Sequence, residues 1–336
     1  MKLSAVVILS LAANLANAQT REPIIDAHMH ATEIAPFAAL TTSPPIPHCV
    51  PMTDYGVPSA GKEWPAMFKA AKPPCRATWS PATDDEVRER ALAIMKRRNI
   101  YGVVSGSQVD RWLADAPERV IPSLGFRGPA AMSVDAMRKE LTEKRFAVLG
   151  EVTVQYAGLS PDDPSLAPYW ALAEELDIPV GIHIGTGPLG APYNPPFARY
   201  RARLHSPLGL EEVLLRHPGL RVYIMHAGWP MIDDLLAVLW THPQVHVDLG
   251  VIDWALPRAE FHRYLQRIVE AGFGKRVLFG SDQMIWPDTI EMAIQNVESA
   301  KFLSAEQRRD IFFNNAARFF RLSPERIATM RGKKLD

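Results

Sequence analysis

The sequence predicts an α/β protein, a (β/α)8 TIM barrel with a long proline-rich insertion after its first strand. Two recurring features and one absence predict it. Short apolar runs alternate with helical patterns along almost the whole chain, as parallel strands joined by helical crossovers do. Those runs are apolar on both faces, which suits strands covered by helices on one side and a barrel interior on the other. No glycine-rich loop follows the first run, which counts against an open dinucleotide-binding sheet. Eight such strand–helix units in about 300 residues suit a closed barrel.

The chain opens with Lys2, an apolar stretch over residues 3–15, and the small-residue site Ala16-Asn17-Ala18 before Gln19. This pattern predicts a secretory signal peptide over residues 1–18, a single mature domain over 19–336, and a secreted or periplasmic location. No apolar run after residue 20 has the length to span a bilayer, so no membrane partner is expected once the signal is removed. Pro23-Ile24-Ile25 begins the first strand, which ends in Asp26-Ala27-His28-Met29-His30. An irregular insertion follows over about residues 31–81, where Pro44, Pro45, Pro47, Pro51, Pro73 and Pro74 exclude long helices. It carries both cysteines, Cys49 and Cys75, which are expected to form a disulfide in an oxidising compartment. Its Trp64, Phe68 and Trp79 favour a packed lid over disorder.

Thr83 and Glu86 then form a capping box ahead of Val87, Ala91, Ile94 and Met95 at helical spacing. The second strand is expected over residues 100–104. Helices near 108–115, 134–143 and 166–176 lead to the third, fourth and fifth strands over 120–125, 147–152 and 179–184. Helices near 208–215, 231–240 and 258–271 lead to the sixth, seventh and eighth over 222–228, 245–249 and 277–282. Helices near 288–300 and 306–320 close the chain.

With 336 residues, no net formal charge and 47% hydrophobic residues, the composition is that of a soluble globular protein. Balanced charge gives no reason to expect nucleic acid as a partner. The partner expected is a small-molecule substrate, with a homo-oligomer left open.

In a barrel of this kind the chemistry sits at the C-terminal ends of the strands. His28 and His30, two apart on the first strand, project the same way, with Met29 opposite. Glu151 lies on the fourth strand, His183 ends the fifth, His226 the sixth and Asp282 the eighth. A single histidine on a strand is usually packing. Six metal-ligating side chains at strand ends point instead to one divalent-metal site.

This pattern resembles the amidohydrolase superfamily, in particular its amidohydrolase-related (family 2) branch, over essentially the whole mature chain. The motifs that carry the resemblance are His28-Met29-His30, His183, Met225-His226-Ala227-Gly228 and Gly280-Ser281-Asp282. The resemblance implies that His28, His30, His183 and Asp282 hold the principal ion, most often Zn2+. His226 would bind a second ion, or orient the reacting group as an uncoordinated base or electrophile. Many two-metal members carry a carboxylated lysine on the fourth strand, where this chain has Gly150-Glu151. Glu151 would bridge two ions, bind one, or accept a hydrogen bond behind the ligands, so one or two ions are expected.

The implied reaction is hydrolysis of an amide, ester or lactone in a small molecule. The ion lowers the pKa of water towards about 7. Asp282 would take the proton and deliver it to the leaving group, and His226 would help polarise the carbonyl. The alternative is a metal-dependent decarboxylase, a carbon–carbon lyase acting on an aromatic or unsaturated carboxylic acid. Glu151 and the signal peptide lean towards hydrolysis. The loop after the fifth strand offers Tyr193, Phe197, Arg199, Tyr200, Arg201, Arg203 and His205, from which an arginine could meet a substrate carboxylate. Trp254 and Trp286 could wall an apolar pocket. His48, His217, His242, His246 and His262 read as structural or surface residues.

Overall fold

The computed structural model describes residues 21–53, 73, 75–143 and 146–332. The signal peptide expected over 1–18, together with Trp64 and Phe68 of the insertion, lies outside the described residues. The strands in chain order are β1 (Ile24–His30), β2 (Pro47–Cys49), β3 (Ala77–Trp79), β4 (Ile100–Ser105) and β5 (Val120–Phe126). They continue with β6 (Val148–Val152), β7 (Val180–His183), β8 (Val222–Met225), β9 (Val245–Asp248) and β10 (Val277–Leu278). Eight of them form one sheet in the order β1-β4-β5-β6-β7-β8-β9-β10, parallel at every pairing. Two backbone hydrogen bonds join its ends: Ala27 N–H donates to Phe279 C=O at 2.8 Å and Asp282 N–H to His28 C=O at 2.7 Å. The fold is a (β/α)8 TIM barrel.

Helices fall between the strands where the apolar spacing places them. The helix Asp84–Arg98 starts in the Thr83–Glu86 capping box and stops at Asn99, whose left-handed conformation (φ 55°) suits a C-cap. It buries Val87, Ala91, Ile94 and Met95 against the sheet. The sixth and eighth expected runs are shorter as strands than their apolar pattern. β8 ends at Met225, and His226–Gly228 form a tight turn. β10 keeps only two ladder residues, and residues 279–282 leave it because Asp282 turns to φ 46° to reach the His28 carbonyl.

The core explains how β1 aims its histidines. Ile24 and Met29 join the apolar layer between sheet and helices. Ile25 and Ala27 join an inner cluster with Tyr101, Val103, Val148, Tyr223, Met225 and Leu278, floored by Phe313 and Phe319 from the C-terminal helices. Strict alternation from Ile25 and Ala27 would send residue 29 inward as well. The register of β1 against β4 shifts between Asp26 and Met29. An irregularity of this kind re-aims side chains: Met29 packs outward beside Gly102, where a Cβ would overlap its sulfur, and His28 and His30 face the barrel mouth.

Within the insertion, β2 and β3 pair antiparallel, and Cys49 and Cys75 are bonded with their Cα atoms 5.6 Å apart. Met52 N–H donates to Ala255 C=O at 2.7 Å, tying this hairpin to the barrel rim. Trp79 does not pack as expected: it is 45% exposed on the outer side of the hairpin. Among the described residues no helix is long and apolar enough to cross a membrane.

Candidate metal centre

The six side chains named from strand ends meet at the C-terminal mouth of the barrel. His28 Nε2 and His30 Nε2 face each other at 3.1 Å. Asp282 Oδ1 lies 3.0 Å from His30 Nε2 and 3.7 Å from His28 Nε2. Glu151 sits centrally: Oε1 is 2.6 Å from His183 Nδ1 and 3.4 Å from His226 Nε2, and Oε2 is 3.8 Å from His30 Nε2. His183 Nδ1 and His226 Nε2 are 2.8 Å apart.

Hydrogen bonds behind these groups fix which atoms point inward. Asp248, fully buried on β9, lies with Oδ2 3.1 Å from His28 Nδ1, and its Oδ1 accepts the His226 and Gly250 N–H groups at 3.0 and 2.8 Å. A carboxylate at His28 Nδ1 keeps the hydrogen there and leaves the Nε2 lone pair facing the centre. His226 Nδ1 donates in the same way to the Gly250 carbonyl at 2.9 Å, freeing its Nε2. Ser105 Oγ lies 3.2 Å from His30 Nδ1, and the Gln283 amide brackets the His30 backbone. Gln155 Nε2 donates to the His183 carbonyl at 2.6 Å.

Lone pairs aimed at one another across about 3 Å repel unless a proton or a cation lies between them. Ligands on one ion, bonded at about 2.0–2.2 Å at tetrahedral or octahedral angles, stand about 2.8–3.6 Å apart. The His28–His30, His30–Asp282, His183–His226 and Glu151–His226 separations of 3.1, 3.0, 2.8 and 3.4 Å have that spacing. Three sets of three ligand atoms converge: His28, His30 and Glu151; His28, His226 and Asp282; and Glu151, His183 and His226. In these sets His183 stands with Glu151 and His226. None of these three sets contains His183 together with His28, His30 or Asp282.

The electrostatics point the same way. Burial opposes charge on His28, yet Asp282, Asp248 and Glu151 outweigh it and raise its pKa to about 10. Burial likewise opposes ionisation of Glu151 and Asp282, and the surrounding imidazoles still hold both carboxyls below their usual range. Two carboxyls held below their usual range, Glu151 and Asp282, thus lie among the imidazoles, with buried Asp248 behind His28. Such a cluster demands positive charge, and one or two divalent cations would supply it. The donor set of imidazole nitrogens and carboxylate oxygens fits a divalent transition-metal ion.

Asp248 is the residue that the strand-end rule should have found, since it ends an apolar run as Asp282 does. Other expectations need correction. Arg199, Arg201 and Arg203 are exposed, and the Arg201 guanidinium donates to the Ala198 and Tyr200 carbonyls rather than facing the site. The loop instead brings Tyr200 and His205 inside, buried against Tyr156 and His183 with ring centroids 4.4–5.7 Å apart. Trp254 and Trp286 do not line an open pocket. Both are buried, with indole N–H groups donated to the Ser281 and Ile46 carbonyls, and His48 packs edge-on between them at 4.9 and 4.7 Å. His48 thus belongs to the rim of the site.

Comparison with known proteins adds a family and a fold. The model of a family described as amidohydrolase matches residues 25–322. No curated protein matches the chain. Among solved structures, 2,6-dihydroxybenzoate decarboxylase from Rhizobium aligns over 90% of this chain and 99% of its own, at 18% identity and a TM-score of 0.52. A dihydroxybenzoic acid decarboxylase from Polaromonas sp. with bound manganese aligns over 91% and 99%, at 14% identity and 0.57. A probable 2-pyrone-4,6-dicarboxylic acid hydrolase from Acinetobacter baumannii aligns over 89% and 99%, at 14% identity and 0.52. At these identities the likeness is one of fold.

Proposed function

The chain belongs to the amidohydrolase family, and from that premise we propose that it is a metal-dependent hydrolase of a small-molecule amide, ester or lactone. The observation that carries this reading is the pair of ligand triads sharing Glu151, one with His28 and His30, the other with His183 and His226. An unmodified carboxylate between two triads suits two adjacent cations, most simply zinc, with Asp282 completing the first position. A divalent cation bound there polarises a carbonyl and lowers the pKa of water towards about 7.

The protein's own groups do the rest. Asp282 is held ionised and lies at the cluster's edge, so it can accept the proton of the attacking water and return it to the leaving group. Asp248 holds His28 in the tautomer that presents Nε2. His226, with Nδ1 committed to the Gly250 carbonyl, serves as a ligand through Nε2 rather than as a free base. The disulfide suits an oxidising compartment, and with the N-terminal pattern it supports a secreted or periplasmic location.

A second reading has its own support. Solved proteins of this fold include decarboxylases of dihydroxybenzoic acids, one with manganese. Decarboxylation of an aromatic acid would need one cation at the His28, His30 and Asp282 end of the site. Metal analysis of purified protein, followed by a panel of esters, lactones, amides and aromatic acids, separates the two. Acid release without CO2 supports hydrolysis. CO2 release from an aromatic acid replaces hydrolysis with the second reading.

A further inference from the structure

One histidine at the mouth of the barrel takes no part in the ligand triads. His48 lies on β2 of the insertion, and none of the three converging sets contains it. Its ring packs edge-on against Trp254 and Trp286 at 4.9 and 4.7 Å. Both indoles belong to the surroundings of Asp282. Trp254 N–H donates to the carbonyl of Ser281, the residue before it, and Trp286 lies just beyond it in the same loop.

The ring is held from several sides. Trp286 N–H donates to the Ile46 carbonyl at 2.9 Å and Met52 N–H to the Ala255 carbonyl at 2.7 Å, so the barrel grips the hairpin before and after His48. The neighbouring Cys49 is bonded to Cys75. A phenylalanine would pack between two indoles as well as this imidazole does, so packing leaves its nitrogens unexplained.

The two nitrogens differ. Nδ1 lies 2.9 Å from the Cys49 carbonyl, which can only accept, so the ring hydrogen sits on Nδ1 and Nε2 keeps a lone pair. Burial lowers the His48 pKa to about 4 against the opposing pull of the Cys49 carbonyl and the Asp282 charge, so the ring is neutral at pH about 7. Among the described residues Nε2 has no hydrogen-bond partner, and the half-buried ring leaves that atom open to solvent. The N–H groups of the two flanking indoles are spent on the Ser281 and Ile46 carbonyls. The rim therefore presents a fixed, neutral acceptor that neither indole meets.

We propose that His48 contacts the substrate and sets specificity, its Nε2 accepting an O–H or N–H on the part of the substrate that extends from the metal centre towards the insertion. The class this selects is a molecule with a hydroxyl or amide N–H outside its reacting group. The inference rests on the metal-site reading for where that reacting group lies. The acceptor itself stands on its own geometry.

Phenol, which carries the donor, and anisole, which lacks it, serve as probes of zinc-loaded protein whose isotope-labelled histidines are followed by nitrogen NMR. The wild type should bind phenol more tightly than anisole. Phenol should also shift the Nε2 resonance of His48, identified as the one missing from His48→Phe. A neutral hydrogen bond contributes about 2- to 10-fold in affinity, so His48→Phe, which keeps an aromatic ring between the indoles, should weaken phenol by that factor and leave anisole unchanged. Circular dichroism checks the fold, and zinc competition should give equal affinity in both proteins because His48 is not a ligand. Phenol affinity unchanged by His48→Phe overturns the inference, as does a His48 Nε2 resonance that phenol does not move or a wild type that binds both probes equally. Protein that holds no zinc yet shows the phenol response sinks the metal reading and leaves the acceptor in place.

Discussion

Replacing Asp248 by asparagine should weaken metal binding without altering any ligand. The substitution keeps the size of the side chain and keeps an oxygen for the His226 and Gly250 N–H groups, which Oδ1 accepts at 3.0 and 2.8 Å. What changes is the atom 3.1 Å from His28 Nδ1, which becomes an NH2 donor. His28 must then accept at Nδ1 and carry its hydrogen on Nε2, the atom that faces His30 at 3.1 Å. A ligating lone pair is replaced by an N–H aimed into the site. Loss of such a supporting carboxylate costs about 10–100-fold in metal affinity, or roughly 1.4–2.7 kcal/mol. Zinc competition against a chromophoric chelator at neutral pH measures it, with the thermal midpoint of the metal-free protein as a control for folding. Equal zinc affinity in wild type and Asp248→Asn would refute the assignment of the His28 tautomer.

Further outcomes follow from other parts of the molecule. Gly250→Ala places a Cβ 2.7 Å from His28 Nδ1 and 3.2 Å from Asp248 Oδ1, so it should spread that contact and lower zinc affinity in the same competition assay. Asp282→Asn should reduce turnover of whichever panel substrate is found at least about 100-fold, as loss of a general acid–base does, while circular dichroism stays unchanged. Cys49→Ser with Cys75→Ser opens a bridge with a sequence separation of 26 and should destabilise the chain by about 3–4 kcal/mol in chemical denaturation, if the insertion is ordered only in the native state. Burial lowers the His246 pKa to about 4, and its ring packs on Phe319 at 4.7 Å. The unfolded chain takes up this proton below about 6.5 and the native one only near 4, so the stability is intact above 6.5 and falls as the pH drops through that window. The loss is at most about 3 kcal/mol, and less for a partly exposed ring. His246→Phe should flatten the difference in urea midpoint between pH about 7.5 and about 5.

The barrel was legible because its strands obey a simple constraint: buried on both faces, they stand out as apolar runs between helices. The metal ligands were legible for a related reason. A histidine or carboxylate at the end of such a run, as with His183 and Asp282, has no packing role that a valine would not fill better. Asp248 obeys the same rule and shows that the rule reaches groups behind the ligands too. What could not be read is geometry set by partners far along the chain. The register shift in β1 depends on how Asp26 and Met29 meet β4, and no local pattern encodes it. The division of ligands around Glu151 depends on where β6 places one carboxylate among four imidazoles. The loop after β7 reads as a basic stretch, yet its arginines and Tyr193 turn to solvent while Tyr200 and His205 turn in, since burying a guanidinium without a partner costs more than burying a phenol.

X-ray absorption of the zinc-loaded protein, compared with a His28→Ala, His183→Ala double variant, tests the account at its base. The account predicts a nitrogen and oxygen shell at about 2.0–2.2 Å with the multiple scattering of imidazole, and loss of that signal with the bound zinc in the variant. Wild-type protein that retains no zinc after gel filtration, or a spectrum unchanged by removing both histidines, would contradict it.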